Sequence, residues 1–589
     1  MAMNANGNWD LSPIYNGFDD PAYAADGARV VEMMDELEQM LKAQGGEGYL
    51  HALVEKLEQT SELLSRIGSL GSLTLSTDIS NKPALGQQDK TMKLSMRLQQ
   101  ITSGVNAYVG ALEDLEEQIA ADEFLGKRAY FLRNMKSNYE HLIDPALEPT
   151  VLKMRMSGGH AWSQLRGQLD GGHLIDMELD GEKKQLPLSA VRGLAYSADR
   201  NVRKAAYEAE IASYPKMETP MAACLNGIKM ESITMAALKK YDSPLDAAIE
   251  MARIDRETLD ALLTAMRESL PGFRRYFKLK AKALGHEGAL PFYDLFAPVG
   301  GCAREYTAQE AKDLLVDVMR GFSDKMADFI AEMFDENRID LYPHAGKRGG
   351  AFCSGVHAIK KSYVMTNFDG SLSSVGTLAH ELGHAYHGLC MKDEPLFASR
   401  YPMPLAETAS IFNETLFSDV LKKRFEGNEK LAMIEQELAD SAQVIVDILS
   451  RFLFEDEVFR RRHDHAMTPE ELCEIMTDAQ KQTYGDGLDE NFLHPYMWAC
   501  KSHYYSPGLD YYNFPYAFGL LFGKGVFALY QKLGKDFLPL YDDLLRRTGT
   551  GNVREVAASV GIDVADVNFW RSSLKVVLEG VDEMEKLLG

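Results

Sequence analysis

With 589 residues the chain is too long for one ordinary hydrophobic core, and roughly two to four domains are expected. Its 46% hydrophobic and 25% charged residues are ordinary globular composition, which excludes disorder as the main state. The 63 Lys and Arg against 87 Asp and Glu leave a formal charge of −24, a surface that repels phosphate backbones and argues against nucleic-acid partners.

The first ten residues are polar and carry no Lys or Arg, and no apolar run follows the first basic residue, Arg29, so no secretory signal is expected. No stretch approaches the run of about 18 apolar residues that a membrane helix needs. The most apolar piece, Phe514 to Phe522, is cut by Pro515 and Gly519. The six cysteines (Cys224, Cys302, Cys353, Cys390, Cys473, Cys500) stand far apart without a Cys-x-x-Cys pair. That spacing fits a reducing compartment and speaks against a disulfide frame or a Cys-based metal cluster. A soluble cytoplasmic protein is expected.

In chain order, Ala28 to Ala43 places Val30, Val31, Met34, Leu37 and Leu41 at close to a 3.6 period, and Leu50–Leu70 and Thr91–Ile119 continue as long helices. Near Gly158–Leu188, paired glycines and the alternating stretch Leu174–Leu179 predict a small strand or loop insert, with His160 and His173 as surface histidines. Helices resume over Ser189–Ala212, Thr219–Leu238 and Asp255–Leu284. Two strands are expected at Gly349–Gly355 and Ser362–Asn367, and helices again from Ser371 to Leu588, broken by Pro402, Pro404 and the Gly/Tyr-rich segment Cys500–Gly519. Arg460–His465 reads as a solvated, basic helix end rather than a metal site. Gly519–Lys524 imitates a phosphate-binding loop but lacks its Ser/Thr.

The segment Thr377–His387 contains His380-Glu381-Leu382-Gly383-His384. On a helix the two histidines, four residues apart, project from one face and can reach one ion. Glu381 lies beside that ion without ligating it, where a general base is needed. Leu378, Ala379, Leu382 and Ala385 make the helix mostly apolar and hence buried, and buried polar groups need partners, which a metal supplies. For the third ligand, His387 lies about 10 Å along the same helix from His380, too far for bonds of about 2 Å. A second His-Glu-x-x-His class needs Gly and His where this chain has His387 and Cys390. A downstream carboxylate remains. Glu394 is nearer but sits in the loop Lys392–Pro395; Glu407 is the better candidate, on a helix that begins near Pro404, with Glu414 two turns on to hold a ligand histidine by its other N–H.

These residues resemble the oligoendopeptidase F branch of the thimet oligopeptidase family of zinc peptidases. The matching pieces are Gly350-Ala351-Phe352, Met365-Thr366-Asn367-Phe368, the His380–His384 motif, Glu407-x-x-Ser410-x-x-x-Glu414, His503-Tyr504-Tyr505 and Tyr511–Gly519. Trp9-Asp10-Leu11 and Tyr293-Asp294-Leu295 also match, so the likeness spans nearly the whole chain. The resemblance implies a mostly α, two-lobed helical clamshell with a deep central channel and a small β-sheet near the zinc site. It implies one Zn2+ per chain on His380, His384 and Glu407, and cleavage of short oligopeptides. It further implies that Gly350, Ala351, Phe352, Tyr363 and Met365 align the substrate backbone, and that His503 with one of Tyr505, Tyr511 and Tyr512 binds the oxyanion. Phe514 replaces a tyrosine that many relatives carry.

The expected organisation is an N-terminal helical lobe, residues 1–204, with the small insert near 158–188, and a catalytic zinc-peptidase lobe, residues 205–589. The expected function is a zinc-dependent oligoendopeptidase with Glu381 as base, without nucleic-acid or membrane partners. A zinc carboxypeptidase or dipeptidyl carboxypeptidase on the same helical clamshell, using Arg348 or Lys360 to hold a free C-terminus, and an inactive peptide-binding protein are the alternatives. Oligomeric state is left open.

Overall fold

The computed structural model describes residues 7–179, 181–301 and 304–589; Cys302 and the first six residues lie outside them. Its long helices include α1 (Pro21–Ala43), α2 (Tyr49–Thr77), α3 (Lys82–Gly110), α4 (Arg200–Ser213), α5 (Glu218–Leu238), α6 (Arg256–Ala283), α7 (Leu372–Met391), α8 (Thr408–Arg424), α9 (Gly427–Ala442), α10 (Ile448–Arg462), α11 (Phe514–Leu533) and α12 (Val567–Leu588). An antiparallel hairpin pairs β1 (Leu174–Leu179) with β2 (Glu182–Pro187), and β3 (Ile339–Asp340), β4 (Phe352–Val356) and β5 (Lys361–Met365) form a second sheet. The mostly α class expected from the sequence is observed. Among the described residues no helix is long and apolar enough to cross a membrane.

The chain forms two compact units. The first comprises Met1–Glu140, Ala303–Val420 and Leu529–Ile562; the second comprises His141–Cys302, Leu421–Ala528 and Asp563–Gly589. The boundary expected between residues 204 and 205 falls inside α4, within the second unit, and the expected 205–589 lobe draws on both units. An unbroken helix leaves no linker there at which the chain can part.

In the first unit α1 begins at Pro21, earlier than its apolar period implies. Asp20 accepts the Ala22 N–H at 2.9 Å, and proline at the first helical position gives up no bond. Val30, Met34 and Leu37 of α1 pack with Leu53, Val54 and Leu57 of α2 and Val105 and Val109 of α3. Each such side chain removed from water contributes about 1.5–3 kcal/mol.

In the second unit α6 buries Leu259, Leu262, Met266, Phe273 and Phe277 and packs against α12, which buries Leu574, Val577 and Val581. Buried cations here are paired: Arg203 with Asp294 at 2.8 Å and Lys229 with Glu455 at 2.6 Å. The insert near 158–188 is a helix, Gly159–Gly171, followed by the β1–β2 hairpin. His160 is exposed as expected. His173 is not: it is buried against Ser213 Oγ at 2.8 Å, and burial lowers its pKa. The Arg460–His465 stretch is the basic end of α10, with Arg460 and Arg461 on Glu457. Gly519–Lys524 lies within α11 and forms no loop.

Candidate metal centre

The centre lies wholly in the first unit. Asp369 accepts the Ser371 N–H at 2.9 Å, and Ser371 Oγ accepts the Ser374 N–H at 3.1 Å, which starts α7. Val375, Leu378, Ala379, Leu382 and Ala385 bury one side of α7. His380 and His384, one turn apart, are left half-buried on the opposite flank, and Glu381 is buried beside them.

The helix expected to run on from Pro404 is interrupted. A short turn, Met403–Ala406, ends at Glu407, whose φ of −88° and ψ of 4° are not helical, and α8 starts at Thr408. Glu407 therefore sits at a corner where its carbonyl accepts the Ile411 N–H at 3.0 Å while its side chain turns back toward α7. Glu407 Oε2 lies 3.3 Å from His380 Nε2 and 3.4 Å from His384 Nε2. Bonds of about 2.0–2.1 Å at tetrahedral angles place neighbouring ligand atoms about 3.3 Å apart, so the donor set fits a single zinc ion. Glu414 Oε2 lies 3.2 Å from His380 Nδ1, which fixes the ring with Nε2 facing Glu407.

Electrostatics follow the same geometry. Burial disfavours charge on His380, yet Glu407 and Glu414 raise its pKa to about 10. Burial likewise works against charge on Glu407, but the two histidines and the Ser410 hydroxyl, which donates at 2.6 Å, hold its carboxyl well below the usual range. Burial pushes the Glu381 carboxyl up, opposed by His380 and His384, as suits a group that takes and returns a proton.

The two rejected ligands have other partners. His387 is fully buried, with Nε2 at 2.7 Å from Thr548 Oγ1 and its ring stacked on Tyr401. Glu394 pairs with Arg546 at 2.8 Å. Sequence reasoning missed the part played by Gly383. A Cβ there would stand 2.6 Å from the Ala409 carbonyl oxygen and 2.7 Å from Ser410 Cα, so only glycine lets α7 and α8 approach this closely. The signal was present as the glycine between Leu382 and His384.

A cavity of about 580 Å³ opens over the centre, lined among others by Ala351, Phe352, Cys353, His380, Glu381, His384, Tyr401 and Glu407. The sheet beside it has the order β3–β5–β4, with Ile339 opposite Val364 and Ser354 opposite Tyr363. Tyr363 and Met365 lie buried on the central strand, Met365 between Asp340 and Phe352 and Tyr363 opposite Ser354 of β4. β4 is an edge strand of this sheet, and it runs on from Gly350 and Ala351 into Phe352.

His503, Tyr505, Tyr511 and Tyr512 belong to the second unit. His503 lies in a short turn, Ser502–Tyr505; burial and the nearby Arg451 and Lys501 lower its pKa, which keeps the imidazole neutral. Its ring centroid is 5.8 Å from that of Tyr512. Tyr505 is buried, and the Tyr511 hydroxyl donates to Asp456 at 3.0 Å. The loop is held from below: buried Lys229 bonds Asp510 at 2.9 Å and Glu455 at 2.6 Å, and Asn513 Nδ2 donates to Glu455 at 2.9 Å. Tyr511 itself is held at a φ of +51°, unusual for a non-glycine residue.

The model of peptidase family M3 matches residues 193–576. Oligopeptidase PepF of Bacillus subtilis is 25% identical over all of this chain and 88% of its own length. The chromosomal oligoendopeptidase F of Lactococcus lactis subsp. cremoris is 27% identical over 69% of this chain and 67% of its own. Among solved structures, a Chlamydophila abortus chain superposes with a TM-score of 0.87 at 23% identity, covering 99% of both chains. The oligoendopeptidase-F of Enterococcus faecium superposes with a TM-score of 0.69 at 19% identity over 95% of this chain and 98% of that one. The corner at Glu407, the histidines it meets and the family match over most of the chain lead to one conclusion: this chain belongs to peptidase family M3, in its oligoendopeptidase F-like branch, and is a metalloendopeptidase.

Proposed function

We propose that the chain is a zinc-dependent oligoendopeptidase that hydrolyses internal bonds of short, unstructured peptides in the cytoplasm. The observation that carries this reading is the meeting of His380 Nε2, His384 Nε2 and Glu407 Oε2 around one point, all within 4.8 Å of one another, with Glu381 beside them. Zinc held there supplies a Lewis acid for the scissile carbonyl and for a water molecule. Glu381 accepts the proton of the attacking water and delivers it to the leaving amine. Glu414 keeps His380 in the tautomer that presents Nε2. The β4 edge aligns the peptide backbone through main-chain hydrogen bonds, which accept any side-chain sequence. The family likeness supports His503, with one of Tyr505, Tyr511 and Tyr512, as donors to the developing oxyanion. Endopeptidase rather than carboxypeptidase action is supported by the likeness to the oligoendopeptidase F relatives. Free thiols at the five described cysteines accord with a reducing compartment.

Metal content, with the cleavage sites in a mixed peptide pool, tests this reading. The chelated protein should be inactive and should regain activity with zinc. Glu381→Gln should retain zinc while kcat falls at least about 10²-fold. Near-wild-type turnover by the zinc-loaded variant removes Glu381 as the base.

A further inference from the structure

The metal cavity has β4 as one of its walls, through Phe352, Cys353, Gly355 and Val356, and the chain leaves β4 by a short turn, His357–Ile359, before entering β5. Lys360 closes the turn at a φ of +53°, left-handed backbone that a non-glycine residue seldom adopts, and its N–H donates to the His357 carbonyl at 2.9 Å. β4 is an edge strand, so the ladder with β5 holds it from one side, and the place of its tip depends on what the turn is fastened to.

The fastening is His357, half-buried and itself part of the cavity lining. Its Nδ1 lies 2.5 Å from Glu62 Oε1 on α2, and its Nε2 lies 2.9 Å from the Glu394 carbonyl oxygen in the loop that follows α7. Both partners are acceptors, so the geometry calls for an N–H on each ring nitrogen. A second bond joins the turn to the same loop: Lys360 Nζ pairs with Asp393 at 2.6 Å. The loop is anchored in turn, because the Glu394 N–H donates to the Met391 carbonyl at 2.9 Å and the Glu394 carboxylate meets Arg546 at 2.8 Å. One imidazole thus ties the tip of the β4–β5 hairpin to α2 on one side and, on the other, to the end of the helix that bears His380 and His384. All of these residues belong to the first unit.

We propose that His357 is a positioning residue that fixes β4 relative to α7, so that a peptide on the β4 edge presents one bond, and not its neighbours, to the metal centre. The inference rests on the peptidase reading above and adds to it the group that sets the register of cleavage. A misplacement of about 1 Å at the reacting atoms costs about 10²-fold in rate, so a strand that carries the substrate has to be held firmly against the helix that carries the ligands. Without the tie the peptide still meets the strand, but the bond it presents varies, and slips of two residues are favoured because they return each side chain to the same face. Glu62 is not among the described residues that line the cavity, so its effect on the products passes through His357.

The test uses one unstructured peptide with several cleavable bonds, its products resolved by mass. The wild type should make one principal cut. In His357→Ala and in Glu62→Ala, both at partly exposed positions, kcat/KM at that bond should fall at least about 10-fold, mainly through kcat, and the share of cleavage at other bonds should rise at least about 3-fold. Zinc content should be unchanged in both, since no ligand has been touched. The double variant should be no worse than the poorer single one, because the two residues act as one unit. Glu62→Gln keeps an acceptor for the ring and should regain the wild-type product pattern at least in part. The proposal is overturned if Glu62→Ala keeps the wild-type products with kcat/KM within about 2-fold, or if the two losses multiply in the double variant. If the wild type cuts no peptide, the peptidase reading fails instead, and the tie is judged by hydrogen exchange. The amides of residues 355–361 should then exchange at least about 10-fold faster in Glu62→Ala than in the wild type, and unchanged exchange overturns the tie.

Discussion

Glu407 and Glu394 were separated in the sequence only by their surroundings, a helix start against a loop. The structure separates them by partners: Glu407 meets two histidines, and Glu394 meets Arg546. Glu407→Ala should therefore strip zinc from the purified protein, whereas Glu394→Ala should keep a full equivalent; elemental analysis of both variants decides it. His387 makes a different kind of prediction. Buried and neutral, it has a pKa depressed to about 3 from an ordinary 6.5, chiefly by burial. As pH falls from 6.5 toward 3, the unfolded chain binds a proton that the folded chain refuses, so this residue's share of the stability is intact above 6.5 and is lost with acidification, up to about 4 kcal/mol. His387→Gln, which does not titrate, should flatten the fall in Tm between pH 7 and pH 4.5 relative to wild type. An equal slope in both proteins excludes His387 as a source of acid sensitivity.

At the level of elements, the metal centre is two helices held at a distance set by one missing methyl group. Gly383→Ala would drive a Cβ into the backbone of residues 409 and 410, neither of which is a flexible side chain. The expected result is separation of α7 from α8, loss of zinc affinity by at least about 10-fold and a lower Tm, although no ligand has changed. Competition for zinc against a chromophoric chelator measures it; unaltered affinity would mean that the two helices can part without moving Glu407. The helices themselves were legible because α7 keeps a strong apolar face and His380 and His384 share the other. The interruption at Glu407 was not, since Pro404 and the apolar run after it read as one helix, and the corner is made by contacts with α7. Strand order was equally hidden: β4 and β5 each show as short strands, but β3 has only two residues, and its pairing makes β5 central. Sequence pattern marks strands and leaves their neighbours to tertiary packing.

For the whole molecule, the proposed docking of a peptide on the β4 edge requires an extended, unpaired chain. A peptide offered free should be cut, and the same sequence in an ordered loop of a stable domain should be spared; comparable rates for both would mean that edge pairing does not govern access. With a charge of −24, cationic peptides should associate faster at low ionic strength, and that advantage should fade as salt rises. Composition and motif gave the helical class and the chemistry, but the division into units was illegible. Each unit is assembled from three separated stretches of chain, and local pattern carries no mark of such long-range pairing.

That division bears on how the protein is made. Every proposed metal ligand has been synthesised by residue 407, yet α7 is secured by residues that emerge much later: the Tyr386 hydroxyl donates to Asp542, and His387 meets Thr548. The ribosome adds about 5–20 residues per second, so the roughly 160 residues between His387 and Thr548 take about 8–30 s. During that interval the nascent chain holds an apolar helix bearing two histidines without the surface that buries it, a target for chaperones and for premature capture of metal. A chain released near residue 530 would carry all three ligands and lack the hydroxyl and carboxylate that hold their helix in place.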